Sequence, residues 1–390
     1  MTSRCRHIGE MRFGEHSSLD AASACREYGC RKPLIVLDHG LAERRLAEGI
    51  LKSFAEAGLA CEVYDKVLPS PDIAVIDEAA AMARGMDCDC IIGIGGGSAI
   101  DTAKAAAMLA ANEGETWSYL INGGGGTFAE PSRARLILVP TTAGSGAELT
   151  ALSAIFNTRN KVKDNMMVDI FADLILLDPT LTVTCPPFLT YISAMDALSH
   201  SLERLTNKGS NPHGNMIAGQ CIEWIAGNLP VVLKDPDNLD ARGKLQLASH
   251  YCMDFTIEYM GARANLNHAV AGAIGYRYHL EHGHAVALAL PATLRFMAQS
   301  GCRREELSLA AARMGLVPSD MPGTETASAI EQINRTMKLP SLKSLGVQPE
   351  DLLECLPVIL GPWSVRLNNA AAVPDEDDLR RILADMYNFS

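Results

Sequence analysis

The first half of the chain is a series of short, mostly apolar runs separated by segments of helical periodicity. Leu34-Ile35-Val36-Leu37, Cys61-Glu62-Val63-Tyr64, Cys90 to Ile94, Leu136 to Pro140 and Leu174-Ile175-Leu176-Leu177 are such runs. Their length and aliphatic character predict strands buried on both faces. Between them, apolar positions spaced three and four apart predict helices from Leu41 to about Ala57, from Ile73 to Arg84 and from Ala99 to Ala111. Strand and helix in alternation imply right-handed crossovers and a mostly parallel sheet covered on both sides.

After Thr182 the pattern changes. Val183-Thr184-Cys185-Pro186-Pro187 interrupts any regular element, because paired prolines fix φ and remove donors. Beyond it the periodicity is helical only, over roughly 190–206, 214–232, 238–260, 263–275, 284–299, 303–314, 325–337 and 376–387. The chain therefore reads as an α/β domain over residues 1–183, built on a mostly parallel sheet, and an all-α domain over residues 184–390.

Composition narrows the function. A chain of 390 residues exceeds one ordinary core, and 48% apolar with 21% charged residues fits a folded, soluble protein. A net charge of -12 argues against nonspecific binding to nucleic acid or to an anionic membrane. Eleven cysteines, an odd and scattered set, do not form a disulfide framework, which favours a reducing cytoplasm. Arg4, Arg6 and Glu10 lie near the start without an apolar signal core, and no run approaches the ~20 apolar residues of a membrane span.

Two groups of residues carry chemistry. The first is Gly95-Gly96-Gly97-Ser98, between a strand and a helix. Glycine admits close approach of a pyrophosphate, and the helix start offers free N–H groups. Asp38, at the end of an earlier strand, is placed to accept from ribose hydroxyls and repel a 2′-phosphate, which favours NAD(H) over NADP(H). Pro140-Thr141-Thr142-Ala143-Gly144-Ser145-Gly146 follows a neighbouring strand, and its hydroxyls suit cofactor contact. Asp101 and Lys104 read as an i, i+3 pair or a cap contact, and Gly123 to Gly126 as a loop. The second group is Asp196 and His200, four apart and so on one helical face, with His268 and His282 further on. One carboxylate and three imidazoles suit a divalent first-row metal. His213 and His250 read as loop and packing residues.

Together these segments, with Leu177-Asp178-Pro179 and His282-Gly283, resemble the iron-containing (group III) alcohol dehydrogenases along nearly the whole chain. The resemblance implies a dehydroquinate-synthase-like fold, with the active site in the cleft between a nucleotide domain and a helical domain. It places metal ligands on Asp196, His200, His268 and His282, with Fe²⁺ expected and Zn²⁺, Mn²⁺ or Co²⁺ also accommodated. It places cofactor contacts on Asp38, Gly95, Gly96, Gly97, Ser98, Thr141, Thr142 and Ser145, and on Lys161 or Lys163. The implied reaction is hydride transfer between nicotinamide and a small primary alcohol or aldehyde, with His268 and His282 at the reacting centre, in a homodimer or larger homo-oligomer. One position departs from the family: where a further histidine commonly relays protons, this chain has Gly272. Metal-bound water, a ribose hydroxyl, His279 or Tyr276 then become candidates for that role, and histidine at 272 is expected to raise activity if the relay is missing. His282-Gly283-His284-Ala285-Val286-Ala287-Leu288 is similar to phosphonoacetaldehyde-reductase-like members, which implies an anionic aldehyde such as a phosphonate or sulfonate. Arg204, Lys208, Arg263 and Arg277 are candidate sources of positive charge. The competing readings are a dehydroquinate-synthase-type lyase and a degenerate nucleotide-binding member without turnover.

Overall fold

The structure, a computed structural model, describes residues 9–159, 162–253 and 264–389. The chain divides into two compact units, one ending at Cys185 and the other beginning at Pro186.

The first unit holds six parallel strands in the order β1-β8-β5-β4-β2-β3. They are β1 (Glu10–Phe13), β2 (Pro33–Asp38), β3 (Glu62–Val67), β4 (Cys90–Gly95), β5 (Arg135–Pro140) and β8 (Leu174–Leu177). The five sequence-predicted strands are all present, and β1 adds an edge strand paired with β8 from Glu10↔Leu174 to Phe13↔Leu177. A separate antiparallel hairpin joins β6 (Leu152–Asn157) to β7 (Val162–Met167). Helices α1 (Ala21–Glu27), α2 (His39–Glu43), α3 (Glu48–Glu56), α4 (Ile73–Gly85), α5 (Gly97–Ala111) and the short α6 (Thr116–Tyr119) complete the unit. The single helix expected from Leu41 to Ala57 is two, because Arg45 turns left-handed at φ 59°. Central strands β4 and β5 are buried apart from Arg135 at the start of β5, as their apolar runs require. The Gly123 to Gly126 loop is fixed by backbone bonds to Trp117, Ser118 and Leu120.

The second unit is helical: α7 (Pro187–Leu205), α8 (Pro212–Lys234), α9 (Leu239–Cys252), α10 (Leu266–Arg277), α11 (His282–Ser300), α12 (Arg304–Arg313) and α13 (Thr324–Thr336). Short turns α14 (Pro349–Leu352), α15 (Leu356–Leu360) and α16 (Ser364–Leu367) lead to α17 (Glu376–Phe389). Pro187 starts α7 at a position where a missing N–H costs nothing. Residues 254–263, into which two expected helices run, lie outside the described residues, as do Arg263 and Lys161. By length and composition alone α8 is apolar enough to cross a membrane. It carries Glu223, paired with Arg313, and packs on α7, α9 and α12.

Candidate metal centre and cofactor turn

In the helical unit the site is built from one face of α7. Asp196, Ser199, His200 and Glu203 recur at helical spacing, and all four are buried. The start of α10 is tied to that face on both sides of His268. Asn265 Nδ2 donates to the Glu203 carbonyl at 2.9 Å, and Asn267 Nδ2 donates to Ser199 Oγ at 2.7 Å. His268 is thereby held over Asp196, with Nε2 3.3 Å from Oδ1. His282 is the first residue of α11, and Gly283 beside it explains how it arrives. A Cβ on Gly283 would stand 2.3 Å from the Ile192 carbonyl oxygen, so only glycine lets α11 press its start against α7. His282 Nε2 reaches within 3.6 Å of the same Asp196 oxygen.

One ligand atom from each of Asp196, His268 and His282 fits within 4.8 Å of the others. Donors about 2.1 Å from a tetrahedral ion stand about 3.4 Å apart, so the 3.3 and 3.6 Å separations match a divalent cation. His200 is the outlying member. Its Nε2 is 4.0 Å from Asp196 Oδ1, and its ring stacks on His268 with centroids 4.4 Å apart.

Glu203, absent from the sequence-based set, completes the centre. Its Oε2 accepts from His268 Nδ1 at 2.5 Å and its Oε1 from the His268 backbone N–H at 3.0 Å. Holding the proton on Nδ1 leaves the Nε2 lone pair directed at the cation position, the usual arrangement around a ligating imidazole. Its signal in the sequence was the spacing: Glu203 lies two turns beyond Asp196 on the same stripe. Burial pushes the Asp196 carboxyl up, but His200, His282 and His268 outweigh it and hold it well below the usual carboxylate range. Burial lowers His200 to about 4, keeping it neutral and able to donate a lone pair. Burial also opposes charge on His268, yet Glu203 and Asp196 raise it to about 9.

Other expectations fare differently. His279 is exposed, in a left-handed turn at φ 53° after α10, and the turn that reverses the chain into α11 uses that residue for its backbone. His284 is buried, with Nε2 2.7 Å from the Pro340 carbonyl. His213 is exposed at the start of α8, and His250 is buried on α9. Two of the four charges considered for an anionic substrate are engaged elsewhere: Arg277 pairs with Glu354, and buried Arg204 donates to the Cys252 carbonyl.

In the α/β unit the ends of β2, β4 and β5 converge on the glycine turn. Gly95 has φ 149°, and a Cβ there would stand 2.7 Å from Ala99 Cβ and 2.9 Å from Asp38 Cβ. A Cβ on Gly96 would meet the Thr142 side chain at 3.5 Å, and one on Gly97 would meet Ser145 Oγ at 2.8 Å. Thr141 N–H donates to the Gly95 carbonyl at 2.9 Å. Gly96 caps α5, so its first N–H groups face this turn. Ser98 Oγ accepts from Ser70 N–H at 3.2 Å. Asp38 also caps α2, its Oδ1 accepting from Gly40 and Leu41 N–H at 2.9 and 3.3 Å. Lys163 lies instead on β7, opposite Phe156. Lys104 is structural. Its buried ammonium lies 2.9 Å from Asp101 and donates to the Ala147 carbonyl at 2.7 Å and Thr150 Oγ1 at 3.0 Å, tying α5 to the segment after the second loop.

A helical unit that brings two imidazoles and a carboxylate to one point, in a chain whose α/β unit sets glycines and a helix start at a strand end, fits a metal-assisted, nucleotide-using enzyme. Comparison with known proteins agrees. Residues 9–179 match the iron-containing alcohol dehydrogenase family, and residues 190–387 match the C-terminal domain of the Fe-containing alcohol dehydrogenase family. Alcohol dehydrogenase 4 of Saccharomyces cerevisiae is 32% identical over 344 residues, 87% of this chain and 87% of that protein. Sulfoacetaldehyde reductase of Bilophila wadsworthia is 28% identical over 278 residues, 71% of this chain and 70% of that protein. The crystal structure of a 1,3-propanediol oxidoreductase superposes with a TM-score of 0.86 at 28% identity, covering 100% of this chain and 99% of that one. The chain belongs to the iron-containing alcohol dehydrogenases, with their dehydroquinate-synthase-like fold, and is an oxidoreductase acting on CH–OH groups.

Proposed function

We propose that this enzyme interconverts a short primary alcohol and its aldehyde, with NAD(H) preferred and a divalent metal, Fe²⁺ first, held by Asp196, His268, His282 and His200. The observation that carries this reading is the set of Nε2 to Oδ1 separations around Asp196, with Glu203 fixing the tautomer of His268. A bound cation supplies Lewis acidity toward the substrate oxygen. The chain's own residues hold the donors in place and keep Asp196 ionised. In the α/β unit, the α5 N-terminus and Thr142 and Ser145 beside the glycines suit a pyrophosphate. Asp38 suits an unphosphorylated ribose. The reading extends to a cytoplasmic homo-oligomer.

A second substrate reading, an anionic aldehyde, draws on the sulfoacetaldehyde reductase relative and on the His282-Gly283-His284 stretch. The engagement of Arg204 and Arg277 elsewhere puts it behind a neutral substrate. The test is NADH consumption by protein reloaded with Fe²⁺, Zn²⁺, Mn²⁺ or Co²⁺. Short neutral aldehydes are compared with carboxylate-, sulfonate- and phosphonate-bearing ones, and mass is measured by light scattering. Metal-dependent NADH oxidation is expected. Its absence with every aldehyde and every metal overturns the dehydrogenase reading and leaves the lyase or the turnover-free binder.

A further inference from the structure

Gly272 sits inside α10, buried, one turn beyond His268 and on the same face. Glycine within a helix costs about 1 kcal/mol against alanine, so its neighbours must require it. They do. A Cβ on Gly272 would lie 2.8, 2.9 and 3.0 Å from Cη2, Cζ2 and Cζ3 of Trp363. The benzo edge of the indole rests on the helix backbone where a side chain would otherwise stand. The Trp363 backbone N–H donates to the Val358 carbonyl at 3.2 Å, and on the ring itself the Arg366 guanidinium carbon lies 4.5 Å from the centroid. Trp363 is only half-buried, so part of the indole still faces open space.

We infer that Trp363 determines substrate specificity: seated on Gly272 a turn from His268, its indole edge walls the substrate site and restricts it to short, unbranched primary alcohols and aldehydes. This rests on the dehydrogenase reading above. The helical face that presents His268 to the cation position presents the indole next. A substrate anchored by its oxygen at the metal therefore meets a flat apolar edge one turn along the helix. The same contact means that histidine at 272 cannot be accommodated while Trp363 stays in place. The expected gain from that substitution therefore requires Trp363 to be shortened as well.

The test compares kcat/KM for a series from ethanol to octan-1-ol, with 2-methylpropan-1-ol, in the metal-loaded enzyme with NAD. Trp363→Ala is expected to raise the ratio of hexan-1-ol to propan-1-ol by at least about tenfold, chiefly through KM, since one methylene in a pocket discriminates by about that much. Trp363→Phe should fall between, and keeps the comparison available if the alanine variant fails to fold. The second readout needs no turnover. The emission of Trp363, taken as wild type minus Trp363→Phe with Trp117 and Trp224 common to both, should shift when propan-1-ol is added without cofactor. An unchanged chain-length profile in both variants, or emission blind to the alcohol, overturns the inference while leaving the dehydrogenase intact. A wild type inactive on every alcohol and aldehyde instead removes the dehydrogenase reading, and the inference with it.

Discussion

Replacing Glu203 with glutamine keeps the volume of the side chain and removes its charge. Glu203 engages His268 with both oxygens, one on the backbone N–H at 3.0 Å and one on Nδ1 at 2.5 Å. Glutamine offers one oxygen and one NH₂ group, so one of the two His268 donors must face another donor. Losing a hydrogen bond to a charged group costs about 1.5–3 kcal/mol. Losing the outer partner of a ligating imidazole lowers metal affinity by roughly 10–100-fold, about 1.4–2.8 kcal/mol, so the two scales agree. Protonation adds a pH signature. With Glu203 and Asp196 holding His268 at about 9 in the metal-free protein, a proton must leave before the cation binds at neutral pH. Glu203→Gln weakens that proton competition as well as the ligand. The two effects oppose one another at pH 7, and only the lost contact remains above pH 9. Zn²⁺ affinity by chelator competition should therefore fall about 10–100-fold in the variant at pH 9.5 and by less at pH 7. A wild-type-to-variant ratio below about 3 at pH 9.5, or one that shrinks as pH rises, refutes the role given to Glu203.

Three further outcomes follow from the geometry. Lys104→Met strands the buried Asp101 carboxylate and leaves the Ala147 carbonyl without its donor; a loss of about 3–5 kcal/mol is expected in urea unfolding, and a loss under about 1 kcal/mol would show the pair to be incidental. Gly283→Ala sets a methyl 2.3 Å from the Ile192 oxygen, so α11 must retreat and carry His282 away; turnover should drop about 100-fold with far-ultraviolet circular dichroism unchanged, and full activity would mean that His282 is not a ligand. In the metal-free protein, His268 is raised from 6.5 to about 9, so its contribution to stability is complete below pH 6.5 and is lost as pH rises through 9; a urea midpoint that increases from pH 6.5 to 9.5 contradicts this.

What the sequence disclosed and what it hid divide along physical lines. The four central strands β2, β4, β5 and β8 were legible because burial on both faces forces an apolar run, and the edge strand β3 only through its short Val63-Tyr64 core. β1 was not: Glu10-Met11-Arg12-Phe13 is an edge strand whose polar residues remain accessible, and Arg12 uses that exposure to pair with Glu10, Asp20 and Glu27. The β6–β7 hairpin escaped for a different reason: Val162-Lys163-Asp164-Asn165 reads as a polar loop, yet Asp164 is buried and accepts from Asn122 N–H at 3.0 Å. The break between α2 and α3 leaves no mark in apolar spacing, because a single left-handed residue, Arg45, makes it.

The candidate site shows a sharper contrast. Asp196, His268 and His282 could be proposed from residue type, because metal chemistry limits the donors to a few side chains. His279 satisfied the same chemical test, and the structure sets it exposed in the turn into α11. Glu203 could have been found by asking why one helix carries Asp196, Ser199, His200 and Glu203 on a single face, for buried polar stripes must be satisfied by something. Trp363 could not. It is 91 positions from Gly272, and no periodicity in either segment links an absent side chain to a large one. Residues that act by donating to a metal carry their chemistry in their names; residues that act by filling a neighbour's space carry it only in the contact. The Gly272 departure, read along the chain, looks like the loss of a proton relay. Read with the indole against it, the same position is one where Trp363 occupies the volume a side chain would need. The activity to expect is then a changed substrate range rather than a missing one.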